Sequence, residues 1–328
     1  MKLKSFGANL ILILAAFIWG SAFVAQNSAG DILGAFSINF ARNIVGGLVL
    51  IPVYFFFSRK KRRNNNTDED FCPTEQKSSS IPHSALRSPH LSFLSAKTKN
   101  SIVGGLFCGL ALFAASAFQQ MGINLGKDEG KAGFITVMYV VLVPLIGLIF
   151  KKKVGFLTWI AVALAPVGLY FLCIEKGFSL AYADILLLIC ALIFSVHITV
   201  IDHFSPKADG VLMSCIQFFT AGILSFVCML IFEAEYIVAI PVAWVEILYL
   251  GIMSSGVAYT LQIIGQKKTN PTVASILLSL ESVFAMICGA VFSQTMPESK
   301  KILGAAIIFV AVILAQMPTK IQNTKFKR

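Results

Sequence analysis

Two ionisable residues, Glu281 and Arg42, lie inside apolar stretches of the sequence that are long enough to cross a membrane. A charge near the bilayer centre costs about 2.5–3.5 kcal/mol on insertion scales, so such residues usually face a bundle interior or a water-filled cavity. Burial favours the uncharged carboxyl group, and Glu281 could therefore exchange a proton or meet an ammonium group. The alternative is a structural glutamate that is protonated or bonded to the backbone.

Arg42 suits a partner of opposite charge. Its planar guanidinium can bind a carboxylate through two parallel hydrogen bonds, so it could hold the carboxylate of a small molecule. It could equally form a structural pair between helices, with a helix end or with Glu281. The sequence leaves both interpretations open.

Five further residues in apolar stretches could serve a binding site. Trp19, Tyr139 and Tyr259 offer aromatic faces and Gln262 offers hydrogen bonds, which together resemble the lining of a small-molecule pocket. His197 could carry protons near neutral pH. The alternatives are packing or an interface belt for the aromatic residues, a structural hydrogen bond for Gln262 and a packing role for His197.

The composition sets the environment in which these residues act. Of the 328 residues, 57% are hydrophobic and 13% are charged, with a mean hydropathy of +0.80. Soluble domains have about 45–50% apolar and about 25% charged residues, so this sequence predicts a multi-pass membrane protein. The net charge of +11 is better explained by basic cytoplasmic loops than by nucleic-acid binding. The seven cysteines have no metal-binding spacing, and we expect neither a metal nor a cofactor.

Hydrophobic segments of about 17–25 residues recur along the whole sequence, and this is the length that an α-helix needs to cross a bilayer. They predict an all-α integral membrane protein with ten transmembrane helices. The segments are residues 9–26, 34–57, 101–120, 133–150, 154–173, 182–201, 210–232, 242–265, 271–292 and 301–317.

The positions of basic residues predict the orientation. With the N-terminus inside, most of the 27 lysines and arginines fall on the cytoplasmic side. This asymmetry predicts a cell-membrane protein, in a plasma or inner membrane, with both termini in the cytoplasm. Residues 58–100 are polar and predict a disordered cytoplasmic loop. The basic run at 59–63 should attract anionic lipid headgroups, and residues 321–328 form a basic cytoplasmic tail.

Ten helices can be divided into two copies of five. Residues 138–147 weakly match residues 277–285, which indicates an internal repeat with copies at 1–175 and 178–320. Because five is an odd number, the second copy must cross the membrane in the opposite sense. Inverted repeats of this kind are typical of secondary transporters, whose binding site lies near the bilayer midplane between the copies.

Several short motifs, taken in order, resemble the drug/metabolite transporter superfamily and in particular its EamA-type ten-helix branch. The likeness covers nearly the whole chain apart from residues 58–100. One departure is Ser282, where the family commonly has proline after the glutamate of the ninth helix. The matching motifs are residues 19–24 (WGSAFV), 40–42 (FAR), 134–144 (FITVMYVVLVP), Ala183-Asp184 with residues 191–197, Ala258-Tyr259, Ala274-Ser275, Leu280-Glu281-Ser282, Gly289 and Gly304.

The resemblance implies a secondary transporter, most often an exporter, of a small amino-acid-like or drug-like metabolite that works by alternating access. No GxxxxGK[ST] sequence is present, so ATP is not expected to drive it directly. We expect no enzymatic activity. The alternatives are an intramembrane lipid- or isoprenoid-modifying enzyme, which should show paired acids or a nucleophile with its base, and a non-transporting interaction subunit. The small residues Gly105 and Gly109 permit close helix packing, within the chain or in a homodimer.

Overall fold

A computed structural model describes residues 2–69, 95–126, 129–152, 154–173, 181–293 and 296–317. Every regular element within these ranges is helical. Nine apolar stretches in this part of the chain are long enough to cross a membrane, and the shorter helical stretch Phe156–Phe171 makes a tenth. The prediction of an all-helical integral membrane protein is confirmed.

The ten predicted spans correspond to thirteen α-helices, because the fourth, eighth and ninth spans are each interrupted. The fourth span comprises α4 and α5, the ninth comprises α11 and α12, and the eighth joins α9 to α10 through a π-helical segment, Leu250–Tyr259. Two 3₁₀ turns, Ser205–Lys207 and Ala234–Ala243, flank α8. The α-helices are α1 Lys2–Gly30, α2 Ala35–Glu69, α3 Ala96–Gly126, α4 Glu129–Thr136, α5 Tyr139–Ile149, α6 Phe156–Cys173, α7 Tyr182–Phe204, α8 Gly210–Phe232, α9 Trp244–Tyr249, α10 Thr260–Gln266, α11 Pro271–Leu278, α12 Leu280–Ser293 and α13 Ser299–Gln316.

Local sequence explains where several helices begin. Asn270 precedes Pro271 and accepts a hydrogen bond from the Thr272 amide, so the predicted start of the ninth span is an N-cap. Asp209 caps α8 in the same way through the Leu212 amide. These side chains satisfy amide donors that a helix start otherwise leaves unpaired.

The predicted loop at residues 58–100 is shorter in the structure. Helix α2 continues to Glu69 and α3 begins at Ala96, so both ends of the segment are helical. Lysine and arginine are good helix formers, and a helix already nucleated in the membrane propagates into such residues at little cost. Residues 70–94 lie outside the described residues, as does the predicted tail at 321–328.

The beginning and end of the described chain lie at the same end of the bundle. The Asn9 side-chain amide donates to Gln316 Oε1 over 3.2 Å, and Thr269 donates to Asn9 Oδ1 over 3.1 Å. Asn9 is near the start of α1 and Gln316 ends α13. An even number of membrane crossings accounts for this arrangement.

Glycines allow the closest helix contacts. A Cβ on Gly109 would lie 2.5 Å from Thr220 Cβ, and one on Gly105 would lie 2.7 Å from Ile216 Cβ, so both glycines pack against α8. The small residues predicted to mediate close packing are therefore used within the chain. A Cβ on Gly20 would lie 2.6 Å from the Glu281 carbonyl oxygen, which places α1 directly against α12.

Two of the three interrupted spans, the fourth and the ninth, meet where α5 contacts α11. Between α4 and α5 the backbone tightens at residues 137–138, with the Met138 amide bonded to Ile135 three residues earlier. Between α11 and α12 the break is at Ser279, whose hydroxyl donates to the Ile276 carbonyl. Serine hydroxyls compete with the backbone in this way and often bend helices.

Candidate functional site

A cavity lies beside two of the helix interruptions, the one between α4 and α5 and the one between α11 and α12. The empty space there, counted together with the part open to solvent, is about 470 Å³. Thr136 and Tyr139 flank one interruption, and Leu278 and Glu281 flank the other. The remaining lining residues are Trp19, Phe23, Gln26, Arg42, Gln119, Phe194, Ile198, Ser254, Tyr259 and Gln262.

Both halves of the chain build this cavity. The first half, α1–α6, contributes residues from α1, α2, α3, α4 and α5, and the second half, α7–α13, contributes residues from α7, the π-helical segment, α10, α11 and α12. On α1, Trp19, Phe23 and Gln26 are spaced four and three residues apart and so share one helix face. The lining combines five aromatic rings with a few polar groups.

Glu281 lies in the first turn of α12 and is buried. Tyr139 donates its hydroxyl to Glu281 Oε1 over 3.3 Å, across the two interrupted helices. No lysine or arginine in the described part of the chain lies within 4 Å of this carboxylate. Its position at a helix start favours negative charge there, whereas its burial opposes it.

Arg42 is buried on α2 and donates three hydrogen bonds. Its Nη2 bonds to Ser254 Oγ at 3.0 Å, its Nε to Ser255 Oγ at 3.3 Å and its Nη1 to Gln26 Oε1 at 3.4 Å. All three acceptors are neutral. Among the described residues no carboxylate lies within 4 Å of the guanidinium, so the alternative in which Arg42 pairs with Glu281 is wrong.

The π-helical segment explains how two consecutive serines reach one guanidinium. A π-helix turns less per residue than an α-helix, so Ser254 and Ser255 can both face α2. Helix α2 approaches closely at Gly46, one turn after Arg42, where a Cβ would lie 2.8 Å from Ser255 Cβ. Gly251 faces the same crossing, and a Cβ there would lie 2.5 Å from Val45 Cγ1.

Trp19 joins α1 to the π-helical segment. Its indole Nε1–H donates to the Ser254 carbonyl over 3.1 Å, and its ring meets Tyr259 edge-on with centroids 4.6 Å apart. The neighbouring Gly20 holds the backbone of α1 against Glu281. Trp19 therefore forms part of the aromatic wall of the cavity, and Gly20 allows α1 to approach the backbone of α12 at Glu281.

His197 is the predicted site residue that does not line the cavity. Its Nε2 lies 3.2 Å from Gln217 Oε1, and its ring packs 5.9 Å from the ring of Tyr259, behind the wall. Gln262 does line the cavity, and its Oε1 is buried with no hydrogen-bond partner in the described structure. The remaining predicted residues, Trp19, Arg42, Tyr139, Tyr259 and Glu281, all line the cavity.

Sequence reasoning missed Gln26 and Ser254 as lining residues. Gln26 could have been found from its position seven residues after Trp19, on the same face of α1. Ser254 and its neighbour Ser255 gave no such signal, because small polar residues are common in membrane helices and the π-helical register was not foreseen. Within the described residues, no cluster of three or more histidines, cysteines or acidic residues is placed to hold a metal.

Comparisons with known proteins agree with this architecture. The model of the EamA-like transporter family matches residues 6–74 and 181–317. An uncharacterised transporter of Archaeoglobus fulgidus is 28% identical over 315 residues, covering 96% of this chain and 87% of that protein. A solved crystal structure has a TM-score of 0.69 at 17% identity, covering 98% of this chain and 99% of that one, and shows the shared fold.

Proposed function

We propose that this chain, which belongs to the EamA-like transporter family of the drug/metabolite transporter superfamily, is a secondary transporter that moves a small organic metabolite by alternating access. Membership of this family supports the general conclusion that the chain is a multi-pass membrane transporter. The observation that carries the more specific proposal is the cavity between the two halves, with Glu281 and Arg42 in its wall.

The helix contacts support two halves related by an inverted repeat. If spans 1–5 correspond to spans 6–10, each contact should recur with its members exchanged. The third span packs on the sixth (α3 on α7), and its counterpart pair, the eighth and first, is also in contact. The same holds for the third with the seventh, matched by the eighth with the second, and for the first with the ninth, matched by the sixth with the fourth. A two-fold relation in the membrane plane would produce this pattern.

Polar contacts between the halves are found at both ends of the bundle, as a rocking motion requires. At the end that holds the start of α1, Lys97 pairs with Asp209 at 3.2 Å and Lys152 pairs with Asp202. At the other end, Ser28 donates to Glu246 over 2.9 Å. An exposed ion pair such as Lys97–Asp209 contributes about 0–1 kcal/mol, so it can break and re-form as the cavity opens to one side and then the other.

Glu281 is the residue that we expect to couple transport to a proton or to the substrate. It is buried, it accepts a hydrogen bond from a tyrosine hydroxyl, and it lies at an interrupted helix of the kind that lines transporter sites. A carboxyl group in this setting can be neutral in one state of the cycle and charged in another, since burial penalises the charge and access to water relieves it. Tyr139 would hold its orientation in both states.

The remaining parts of the proposal follow the charge pattern and the family. The basic residues favour cytoplasmic termini in the cell membrane, with residues 59–63 near anionic headgroups of the inner leaflet. Export of an amino-acid-like or drug-like compound is the direction that the resemblance suggests. A homodimer is compatible with the exposed apolar faces but is not needed to complete the cavity.

The test begins with a metabolite panel, because a true substrate must stabilise the folded protein by mass action. Proteoliposomes loaded with a stabilising compound then report its efflux together with internal pH. We expect Glu281→Gln to abolish coupled efflux while folding and insertion remain intact. Glu235→Gln, which changes an exposed carboxylate outside the cavity, is the matched control and should behave as wild type. Coupled efflux that is unchanged in Glu281→Gln would refute the role.

A further inference from the structure

We infer that the substrate of this cavity is an organic acid, whose carboxylate binds the Arg42 guanidinium and whose apolar or aromatic body contacts the surrounding rings. This inference rests on the proposed transport function and narrows it to one charge class. The hydrogen-bond partners of Arg42, its unbalanced charge and the aromatic rings around it support this inference.

The hydrogen bonds of Arg42 leave room for one carboxylate. A guanidinium has five N–H donors, and Ser254, Ser255 and Gln26 accept one each from Nη2, Nε and Nη1. One N–H therefore remains on each terminal nitrogen. Two donors of this kind match the two oxygens of a carboxylate.

The positive charge of Arg42 is not balanced within the described structure. Its acceptors are hydroxyl and amide oxygens, and the cavity's carboxylate, Glu281, is bonded to Tyr139 instead. Charged residues elsewhere in the bundle have a partner of opposite charge: Asp209 pairs with Lys97, and Asp202 pairs with Lys152. A buried cation without a counter-charge is costly, and a purely structural arginine would be expected to pair with a carboxylate.

The guanidinium is also held in place before any ligand binds. Three hydrogen bonds from two helices fix it, and the close contact at Gly46 and Gly251 holds α2 against the π-helical segment. Fixing the donor in advance reduces the ordering cost when a ligand binds. Such an arrangement is typical of a recognition group.

The rings around Arg42 indicate the rest of the ligand. Trp19, Phe23 and Tyr259 line the cavity from α1 and the π-helical segment, and Tyr139 and Phe194 line it from the other side. A flat apolar body would replace water against these faces. Gln119 and Gln262 add neutral hydrogen-bonding groups to the lining. The carboxyl group in the wall, Glu281, accepts from Tyr139 and would have to be neutral when an organic acid is bound.

Three matched probes test the charge class on the purified full-length protein: 3-phenylpropanoate, its primary amide and 3-phenylpropylammonium. We expect the acid to raise the melting temperature of the wild type. At equal concentration, the shift in melting temperature caused by the amide or by the ammonium compound should be at most one tenth of the shift caused by the acid. Arg42→Gln should lose this difference, and Arg42→Lys should keep part of it. Lys268→Gln, which removes an exposed cation outside the cavity, should bind like the wild type.

Equal stabilisation by acid and amide, preference for the ammonium compound, or no stabilisation by the acid at millimolar concentration would overturn the inference. Coupled efflux of a neutral or cationic compound would leave the transport function standing while the charge class fails.

Discussion

Gly20→Ala tests the contact that places α1 beside the acidic residue of the cavity. The new Cβ would lie 2.6 Å from the Glu281 carbonyl oxygen, 2.7 Å from Phe284 Cβ and 2.8 Å from the Ala285 amide nitrogen. Two of these three atoms are backbone, which cannot rotate away. Since ordinary contacts begin near 3.4 Å, the two helices must separate by about 0.8 Å.

The expected cost follows from two opposing effects. Forcing an extra methyl group into a packed contact costs about 1–3 kcal/mol. Replacing glycine by alanine within a helix gains about 0.5–1 kcal/mol from the unfolded chain. The net destabilisation at Gly20 is therefore about 0–2.5 kcal/mol, which is too broad a range to interpret without a control.

Gly7→Ala supplies that control on the same helix. No atom lies within 4 Å of its added Cβ, so it should show the gain from helix propensity alone. The difference in free energy of unfolding between the two variants then isolates the packing cost, about 1–3 kcal/mol. Reversible unfolding in mixed micelles measures both, and efflux from proteoliposomes should fall in Gly20→Ala alone. Equal stability of the two variants would show that α1 and α12 are not in close contact.

Two further substitutions test other contacts. Glu233→Ala removes a carboxylate that accepts from the Phe36 amide, the Ser37 amide and the Ser37 hydroxyl at the start of α2, and should lower the free energy of unfolding by about 1–3 kcal/mol. In the double variant with Ser37→Ala, a loss equal to the sum of the two single losses would contradict the contact between these side chains. Trp19→Phe removes the 3.1 Å hydrogen bond to the Ser254 carbonyl but keeps an aromatic ring beside Tyr259. It should therefore lower stability by about 1 kcal/mol and reduce ligand affinity. Thermal melting measures the stability and ligand-induced shifts measure the affinity; wild-type values of both would contradict the hydrogen bond.

Much of the fold could be predicted because the bilayer restricts the possible structures. Spanning length and apolar composition identified ten segments, and all ten are helical in the described structure. Asn270-Pro271 correctly predicted a helix start, because its capping chemistry is local. The extents of α2 and α3 beyond the membrane were not predicted, since in polar residues the choice between helix and loop depends on small propensity differences.

The cavity was predicted in part. Trp19, Arg42, Tyr139, Tyr259, Gln262 and Glu281 stand out because polar or aromatic side chains in apolar helices need a partner or a cavity. The hydrogen-bond partners of these side chains could not be predicted from the sequence. Which acceptors Arg42 finds depends on the π-helical register at Ser254 and Ser255, and the sequence shows only two glycines nearby as a hint of close packing.

His197 illustrates the limit of reasoning from residue type. Its chemistry suits proton transfer, but whether it reaches the cavity depends on the rotation of α7 about its own axis. In the structure it bonds to Gln217 and packs behind Tyr259. A shift of one residue in the sequence would turn it by about 100°, which apolar composition alone cannot resolve.

In the proposed transport cycle, one cavity between the two halves is reached by water from each side of the membrane in turn. The most direct test places a single cysteine at Gln119, which lines the cavity and is 9% exposed, in a background without native cysteines. Leu110 on the same helix is 51% exposed on the outside of the bundle and serves as the control for a lipid-facing position. A charged, membrane-impermeant thiol reagent should modify Gln119→Cys in both right-side-out and inside-out vesicles and should not modify Leu110→Cys. Modification of Gln119→Cys from one side only, or from neither, would contradict alternating access to this cavity.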